Sequence, residues 1–330
     1  MKLMIEKVLI CLLATLMLAI VPTVEAQQPG KVYRIGYLTN APGIRKGVEE
    51  VFRQVLRDLG YVEGQNLVFE WRFSKGKLDL LPELAAELVR LKLDCIIAVG
   101  VAPTRAAKEA TNVIPIVMGN ADDDPVRHGL VASLARPGGN VTGFTSISSE
   151  LASKRLELLK ETVPKASRIA ILWNPAGSGA AGHVRETEIA APLLAVRLQR
   201  LEVRGSDDVE NAFQAAGKGS ADALIVVVAG GMPRYQVRIL DLAVKTRMPV
   251  MYTNPEFVRG GGLMSYAAEI PELSRGTATY VDKILKGAKP ADLPVQQPRK
   301  FELVINLKTA KQIGVTIPQS VLYRADRVSR

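Results

Sequence analysis

The chain has few of the residues on which enzyme and metal chemistry most often depends. Its 330 residues include only two cysteines and two histidines. The histidines, His128 and His183, lie in unrelated segments without metal-ligand spacing, so we expect no metal site and no other cofactor. The serine-hydrolase elbow, the P-loop and a Gly-x-Gly-x-x-Gly pattern after a strand are also missing. These absences predict a protein that is not an enzyme.

The two cysteines do not predict a disulfide framework. Cys11 lies in the apolar segment at the start of the chain, which we expect to be removed, and only Cys95 then remains. Cys95 belongs to the apolar run Cys95–Val99, where a small thiol packs as a hydrophobic side chain. We therefore interpret Cys95 as a core residue.

The chain also lacks any block of like charge. The net charge is +10, but the basic residues are spread along the sequence and interleaved with acidic ones, without a helix-turn-helix pattern. This distribution argues against a nucleic-acid partner. The net positive charge is better explained by solubility, by attraction to anionic headgroups or by steering of an acidic ligand.

The first residues have the order of a secretory signal peptide. Two lysines precede an uncharged apolar run, Val8–Val21, which Pro22 ends. Val24 and Ala26 place small residues at the two positions that a signal peptidase reads, so we predict a signal peptide over 1–26. The run is too short to span a bilayer comfortably, although an uncleaved anchor is the alternative.

Short β-branched runs alternate with amphipathic helical segments along the rest of the chain. The predicted strands are Tyr33–Leu38, Leu67–Trp71, Cys95–Val99, Ile116–Met118, Ile169–Trp173, Arg200–Val203, Leu224–Val228 and Val250–Tyr252. Their near-continuous hydrophobicity is typical of parallel strands that are covered on both faces. The alternation predicts an α/β protein with doubly wound, Rossmann-like parallel sheets.

An internal repeat predicts two such sheets. Three segments recur in the same order and at nearly equal offsets: 34–40 with 168–174, 94–97 with 222–225, and 115–120 with 249–254. A collinear repeat of this kind favours a duplicated lobe. About 300 residues also suit two domains of ordinary size.

Three stretches rich in glycine or proline are candidates for chain crossings between the lobes. They lie at 138–143, 260–271 and 293–298. Glycine and proline loops can absorb the dihedral changes of a hinge, although ordinary surface turns are the alternative. We predict one lobe from 31–143 plus roughly 270–298, and the other from 144–269 plus roughly 299–330.

A ligand of such a protein binds beyond the carboxyl ends of the parallel strands. The loops at those ends supply the candidate ligand-binding residues: Asn40, Ala102, Pro103, Thr104, Asn120, Asp122, Asn174, Tyr252 and Asn254.

Each candidate has a specific expected role and a structural alternative. Free amides at the helix start near Pro103, together with the Thr104 hydroxyl, suit a carboxylate, although a turn that holds no ligand explains the same residues. Asp122 could pair with an ammonium group, and Tyr252 could stack on an apolar ligand or lie in the core. The four asparagines offer donors and acceptors, yet asparagine is also a common turn residue.

Several segments carry a resemblance to a known family. They include Leu59–Leu67, which reads LGYVEGQNL, together with 84–89, 114–117, 133–143, 154–160 and 280–287. The chain resembles ABC transporter substrate-binding proteins related to tryptophan- and tyrosine-binding proteins. The resemblance extends over essentially all of the chain after the predicted signal peptide.

The resemblance implies a type I periplasmic-binding-protein fold with several chain crossings at the hinge. It also implies a periplasmic monomer that hands a small solute, such as an amino acid or another carboxylate, to an ABC permease. A sensor module that binds the same solute and reports to a membrane receptor is an alternative. A less favoured one is an exported Rossmann-type enzyme.

Overall fold

The computed structural model describes residues 31–43, 46–146, 148–177 and 179–330. The predicted signal peptide and its cleavage site lie outside these residues. Within them, no helix combines the length and the apolar character that a membrane span requires.

The strands of the described residues form two separate sheets. The first has five parallel strands in the order β2-β1-β3-β4-β5. These strands are β1 (Tyr33–Thr39), β2 (Leu67–Phe73), β3 (Cys95–Val99), β4 (Ile116–Ala121) and β5 (Val141–Thr145).

The second sheet has seven strands, in the order β12-β11-β10-β9-β8-β6-β7. Its strands are β6 (Arg168–Trp173), β7 (Arg197–Glu202), β8 (Ala223–Val226), β9 (Val250–Tyr252), β10 (Met264–Ala268), β11 (Phe301–Asn306) and β12 (Arg327–Ser329). Neighbouring strands are parallel except for the antiparallel pair of β10 and β11.

Helices connect the strands and cover the sheets. They are α1 (Lys46–Asp58), α2 (Leu81–Arg90), α3 (Val101–Ala110), α4 (Ala152–Thr162), α5 (Ala180–Ala190), α6 (Asp207–Lys218), α7 (Gln236–Lys245), α8 (Pro255–Arg259), α9 (Ile270–Leu285), α10 (Leu307–Ile313) and α11 (Gln319–Leu322).

The central strands are buried on both faces. In β3, Ile96 and Ile97 point to opposite sides and belong to two different hydrophobic clusters. In β6, Ile171 and Leu172 do the same. This arrangement explains the continuous apolar runs of the sequence, because each side of a doubly wound sheet needs its own apolar row. Cys95 is fully buried in β3, as predicted.

The internal repeat corresponds to equivalent strands. Its segments form β1, β3 and β4 in the first sheet and β6, β8 and β9 in the second. The order β2-β1-β3-β4-β5 is repeated as β7-β6-β8-β9-β10. The prediction of two Rossmann-like lobes is therefore confirmed.

The sequence did not predict β5 or the three strands β10, β11 and β12. The last residues of the candidate crossing 138–143 begin β5, Val141–Thr145, which pairs with β4 at the edge of the first sheet. Gly143 has a φ of +126°, and a Cβ atom there would overlap the backbone of Met118. Glycine at this position therefore permits the close approach of β5 to β4.

The chain passes between the sheets close to β5. Gln296 forms an isolated parallel bridge with Phe144, and the nitrogen of Thr145 donates to the carbonyl of Gln296 over 3.0 Å. Helix α9 follows β10 in the chain but packs on α1 and on β4 and β5 of the first sheet. The predicted lobe boundaries stay a prediction.

Candidate functional site

A cavity of about 840 Å³ lies where the carboxyl ends of the two sheets face each other. On one side it is lined by the ends of β1, β3 and β4, through Asn40, Gly100 and Asn120. The segments after β8 and β9 line the other side, through Val228 and Thr253. This is the position that parallel strand topology predicts for a ligand, and the volume is that of a small-molecule site.

One part of the cavity is apolar. Tyr37 and Phe52 are buried side chains of β1 and α1, and Leu273 of α9 lies beside the same space. Tyr37 packs against Trp71, with 5.0 Å between the ring centroids. Packed aromatic rings hold their positions before a ligand arrives, so this surface can receive an apolar group at little entropic cost.

Five of the predicted residues line the cavity: Asn40, Pro103, Asn120, Asp122 and Asn254. Two of their side chains also hold loops. Asn40 Oδ1 accepts a hydrogen bond from the Ser74 hydroxyl at 2.8 Å, and Asn254 Oδ1 accepts one from the nitrogen of Glu256 at 2.9 Å, where it caps α8. Each of these two asparagines therefore both stabilises a loop and lies at the cavity.

Asn120 differs from those two asparagines. Its Oδ1 atom is buried and has no hydrogen-bond partner in the described structure. A buried acceptor left unpaired costs about 1–3 kcal/mol. A ligand that donated an N–H to this oxygen would remove that cost.

Four predicted residues do not line the cavity: Ala102, Thr104, Asn174 and Tyr252. Thr104 is fully buried, and its hydroxyl donates to the carbonyl of Gly100 over 2.8 Å within the first turn of α3. Ala102 faces a second cavity of about 300 Å³. The predicted carboxylate contact at Thr104 is thus not supported, because its hydroxyl is used inside its own helix.

The side chains of Tyr252 and Asn174 are also buried in the protein and do not line the cavity. Tyr252 is 0% exposed and stacks on Phe257, with 5.1 Å between the centroids. Burial raises the pKa of the Tyr252 hydroxyl. Asn174 is buried, and its Oδ1 accepts a hydrogen bond from the nitrogen of Ala176 at 2.9 Å. Both positions argue against direct contact with a ligand in the large cavity.

Sequence reasoning missed a polar group on the wall formed by the second lobe. Ser148 and His183 line the cavity, and the guanidinium of Arg155 lies behind them. The available signal was the position of Arg155 on the apolar side of α4, one helical turn from Leu151 and from Leu159. A charged residue at such a position predicts a buried charge with an unusual role.

Burial changes the ionisation of this group. It lowers the pKa of Arg155 to about 9, so the guanidinium still carries its charge at neutral pH. Burial, and secondarily the charge of Arg155, lower the pKa of His183 to about 3, so the imidazole is neutral. Because Arg155 can only donate, His183 Nδ1 accepts its hydrogen bond and Nε2 carries the ring proton.

The two walls of the cavity touch at their rims. Arg234, which follows β8, donates from Nη2 to the carbonyl of Lys75 in the first lobe over 2.8 Å. At another point the Ser149 hydroxyl donates to Asp123 Oδ1 over 2.9 Å. Arg127 Nη1 lies 3.7 Å from Glu186 Oε1. The cavity is therefore bounded by both lobes and by contacts between them.

Two mainly parallel sheets around one shared cavity define the two-lobed fold of type I periplasmic binding proteins. Residues 39–329 match the family model described as ABC transporter substrate binding protein, so the chain belongs to this family of solute-binding proteins.

The chain is also similar to individual proteins. It is 28% identical over 285 residues to a tyrosine-binding protein of Clostridioides difficile, which covers 85% of this chain and 80% of that protein. A solved conserved domain protein of Vibrio cholerae is 28% identical, covering 91% of this chain and all of that one, with a TM-score of 0.83. An ABC domain of Streptococcus pneumoniae in complex with L-Trp is 24% identical and has a TM-score of 0.82 over 90% of this chain and all of that one. This last likeness concerns the fold alone.

Proposed function

We propose that this protein is the periplasmic solute-binding component of an ABC importer. It captures a free amino acid with an apolar side chain, aromatic ones above all, between its two lobes and presents it as a monomer to a membrane permease. The lobes comprise 31–143 with about 270–298 and 144–269 with about 299–330. One observation carries the proposal: a single cavity is lined by the strand ends of both sheets.

The shared cavity supports a mechanism of capture by closure. A ligand that touches both walls stabilises the closed arrangement only by as much as it binds that arrangement more tightly than the open one. Contacts such as that of Arg234 with the Lys75 carbonyl form only when the walls meet. The permease would then recognise the closed protein.

The lining supports an amino acid as the ligand. The rings of Tyr37 and Phe52 provide an apolar surface for a side chain, and the unpaired Asn120 Oδ1 is an acceptor for an ammonium N–H. The relative in Clostridioides difficile is named a tyrosine-binding protein, and the structural relative of Streptococcus pneumoniae was solved with L-Trp. We therefore expect L-tyrosine and L-tryptophan to be among the best ligands.

Calorimetric titration tests the ligand class. The protein without residues 1–26 is unfolded in denaturant and refolded, so that any solute bound during expression is removed, and then titrated with the twenty amino acids. We expect dissociation constants of about 1 μM or below for aromatic amino acids, corresponding to about 8 kcal/mol of binding free energy. Absence of heat and of thermal stabilisation across the panel would contradict an amino acid as ligand.

Uptake measurements test the transport role separately. Deletion of the gene should abolish high-affinity uptake of the labelled ligand by the host, and a copy of the intact gene should restore it. The protein released by osmotic shock should begin at Gln27, which mass spectrometry can determine. Normal uptake in the deletion strain, together with a lost transcriptional response to the ligand, would favour a sensor instead.

A further inference from the structure

The guanidinium of Arg155 lacks a carboxylate partner among the contacts of the described residues. It is 1% exposed. Its Nε donates to the carbonyl of Tyr266 over 2.7 Å, and its Nη1 donates to the carbonyl of Ser148 over 2.6 Å. Its two remaining contacts are the Ser148 hydroxyl at 3.1 Å from Nη2 and His183 Nδ1 at 3.3 Å from Nη1. A buried cation of this kind is costly unless an anion comes near it.

The last two contacts lead from Arg155 to the cavity. Ser148 Oγ accepts from Arg155, so its own proton is free to be donated onward. His183 Nδ1 likewise accepts from Arg155, which leaves the Nε2 proton as the ring's donor. Both residues line the large cavity, whereas Arg155 does not. The positive charge therefore lies one hydrogen bond behind two neutral donors at the wall.

We propose that Ser148 and His183, polarised by Arg155 behind them, form the site that binds the carboxylate of the ligand. The inference rests on the proposed amino-acid function and assigns the acidic end of that ligand to the wall of the second lobe. A carboxylate at this wall accepts hydrogen bonds from the hydroxyl and the ring nitrogen, and it supplies the negative charge that the buried guanidinium lacks. Hydrogen bonds to a charged acceptor are about twice as strong as neutral ones.

This assignment differs from the sequence prediction, which placed the carboxylate at the start of α3 beside Thr104. The Thr104 hydroxyl is consumed within its helix. Arg155 also has a structural role, since its bond to Tyr266 ties α4 to β10. That structural role needs hydrogen-bond donors but no charge. A test must therefore separate weaker binding of the ligand carboxylate from a general loss of packing around Arg155.

The test compares four ligands that differ only in their end groups: L-tyrosine, L-tyrosinamide, 3-(4-hydroxyphenyl)propionate and tyramine. Ser148→Ala should weaken L-tyrosine binding by about 10- to 30-fold and L-tyrosinamide binding by less than about 3-fold. Arg155→Gln should likewise weaken binding of L-tyrosine more than binding of L-tyrosinamide. Thr162→Ala is the matched control, because it removes a different buried polar group of α4, one that donates to the carbonyl of Leu158 over 2.7 Å.

The outcomes separate the two proposals. If Arg155→Gln does not fold, Ser148→Ala still decides the matter, since it leaves the guanidinium in place. A ratio of L-tyrosine to L-tyrosinamide affinity equal in wild type and Ser148→Ala would overturn the carboxylate site while the amino-acid function stands. Binding of the propionate but of none of the twenty amino acids would support the site and refute the amino-acid function. If wild type binds neither the propionate nor any of the twenty amino acids, both proposals fail.

Discussion

Two buried polar side chains near the cavity, His183 and Tyr252, differ in their surroundings. His183 accepts a hydrogen bond from Arg155. The Tyr252 hydroxyl has no partner in the described part of the chain, and its ring lies in the core. Buried polar atoms normally have hydrogen-bond partners. The surroundings of each side chain therefore lead to a specific prediction about the stability of the protein.

The neutral state of His183 predicts a pH-dependent stability. Its pKa is about 3 in the folded protein and near 6.5 when unfolded, so its contribution is complete above pH 6.5 and is lost as the pH falls from there towards 3. Between pH 7 and pH 5 the free energy of unfolding should fall by about 2 kcal/mol from this site. Urea titrations at both values measure the loss.

His183→Gln should remove most of that pH dependence, because glutamine can still accept from Arg155 but does not titrate. The carboxyl of Asp123 does not interfere in this range. Burial opposes its ionisation, but its hydrogen bonds from the Asp124 amide, His128 and Ser149 outweigh burial and lower its pKa. Equal slopes in wild type and variant would show that His183 is not the titrating group.

Tyr252→Phe should leave ligand affinity unchanged within about 2-fold and should keep or raise the free energy of unfolding, by up to about 1 kcal/mol. Among the described residues, the Tyr252 hydroxyl has no hydrogen bond that the substitution would break. Tyr280→Phe is the contrasting variant, because the Tyr280 hydroxyl donates to the carbonyl of Pro294 over 2.6 Å, and its loss should cost about 1–2 kcal/mol. A large loss of affinity in Tyr252→Phe would instead indicate that the Tyr252 hydroxyl contacts the ligand.

At the scale of secondary-structure elements, the packing of α9 on β5 leaves no space for a side chain at one position of the helix. Gly276 of α9 lies against the ring of Phe144, and a Cβ atom at this glycine would overlap that ring. Phe144 in turn packs edge-to-face on Tyr280, with 5.0 Å between the centroids. Glycine therefore stands inside a helix, where it is intrinsically unfavourable, because the neighbouring strand leaves no space for a side chain.

Gly276→Ala should destabilise the protein by about 1–3 kcal/mol, the usual cost of overpacking a core. Gly217→Ala is the matched control, since Gly217 is exposed near the end of α6 and has open space around it. That control should be neutral or stabilising by up to about 1 kcal/mol. Thermal unfolding of both variants measures the difference, and equal midpoints would contradict this account of the contact.

At the scale of the whole molecule, the proposed closure of the lobes makes a prediction about contacts across the cavity. Arg234 is exposed and reaches the carbonyl of Lys75 in the opposite lobe. The loop accommodates the guanidinium because Gly76 has no side chain and adopts a φ of +85°. In the proposed mechanism, such a contact stabilises the closed arrangement and is absent from the open one.

Arg234→Met should weaken binding of the ligand by about 3- to 10-fold without lowering the unfolding temperature of the ligand-free protein. Arg238→Met is the control, because Arg238 is an exposed arginine whose Nη1 lies 3.3 Å from Asp241 on its own helix, α7. Calorimetry measures both affinities. The same affinity in Arg234→Met and wild type would remove this contact from the closing mechanism.

The sequence by itself determined the layout of the protein. Apolar strands alternating with amphipathic helices, together with the collinear repeat, were enough to predict two doubly wound sheets and a cavity at their strand ends. Five of the nine predicted residues line that cavity, because parallel strands place their carboxyl-terminal loops at one edge whatever the side chains are.

Only the tertiary structure decided which side chains line the cavity. Thr104 and Tyr252 stand at the correct strand ends, but their orientation is set by a bond within α3 and by packing on Phe257. Arg155 and His183 are about 30 residues apart on successive helices and meet only when α4 packs on α5. Periodicity specifies the face of an element, whereas contacts between elements distant in sequence depend on how those faces pack.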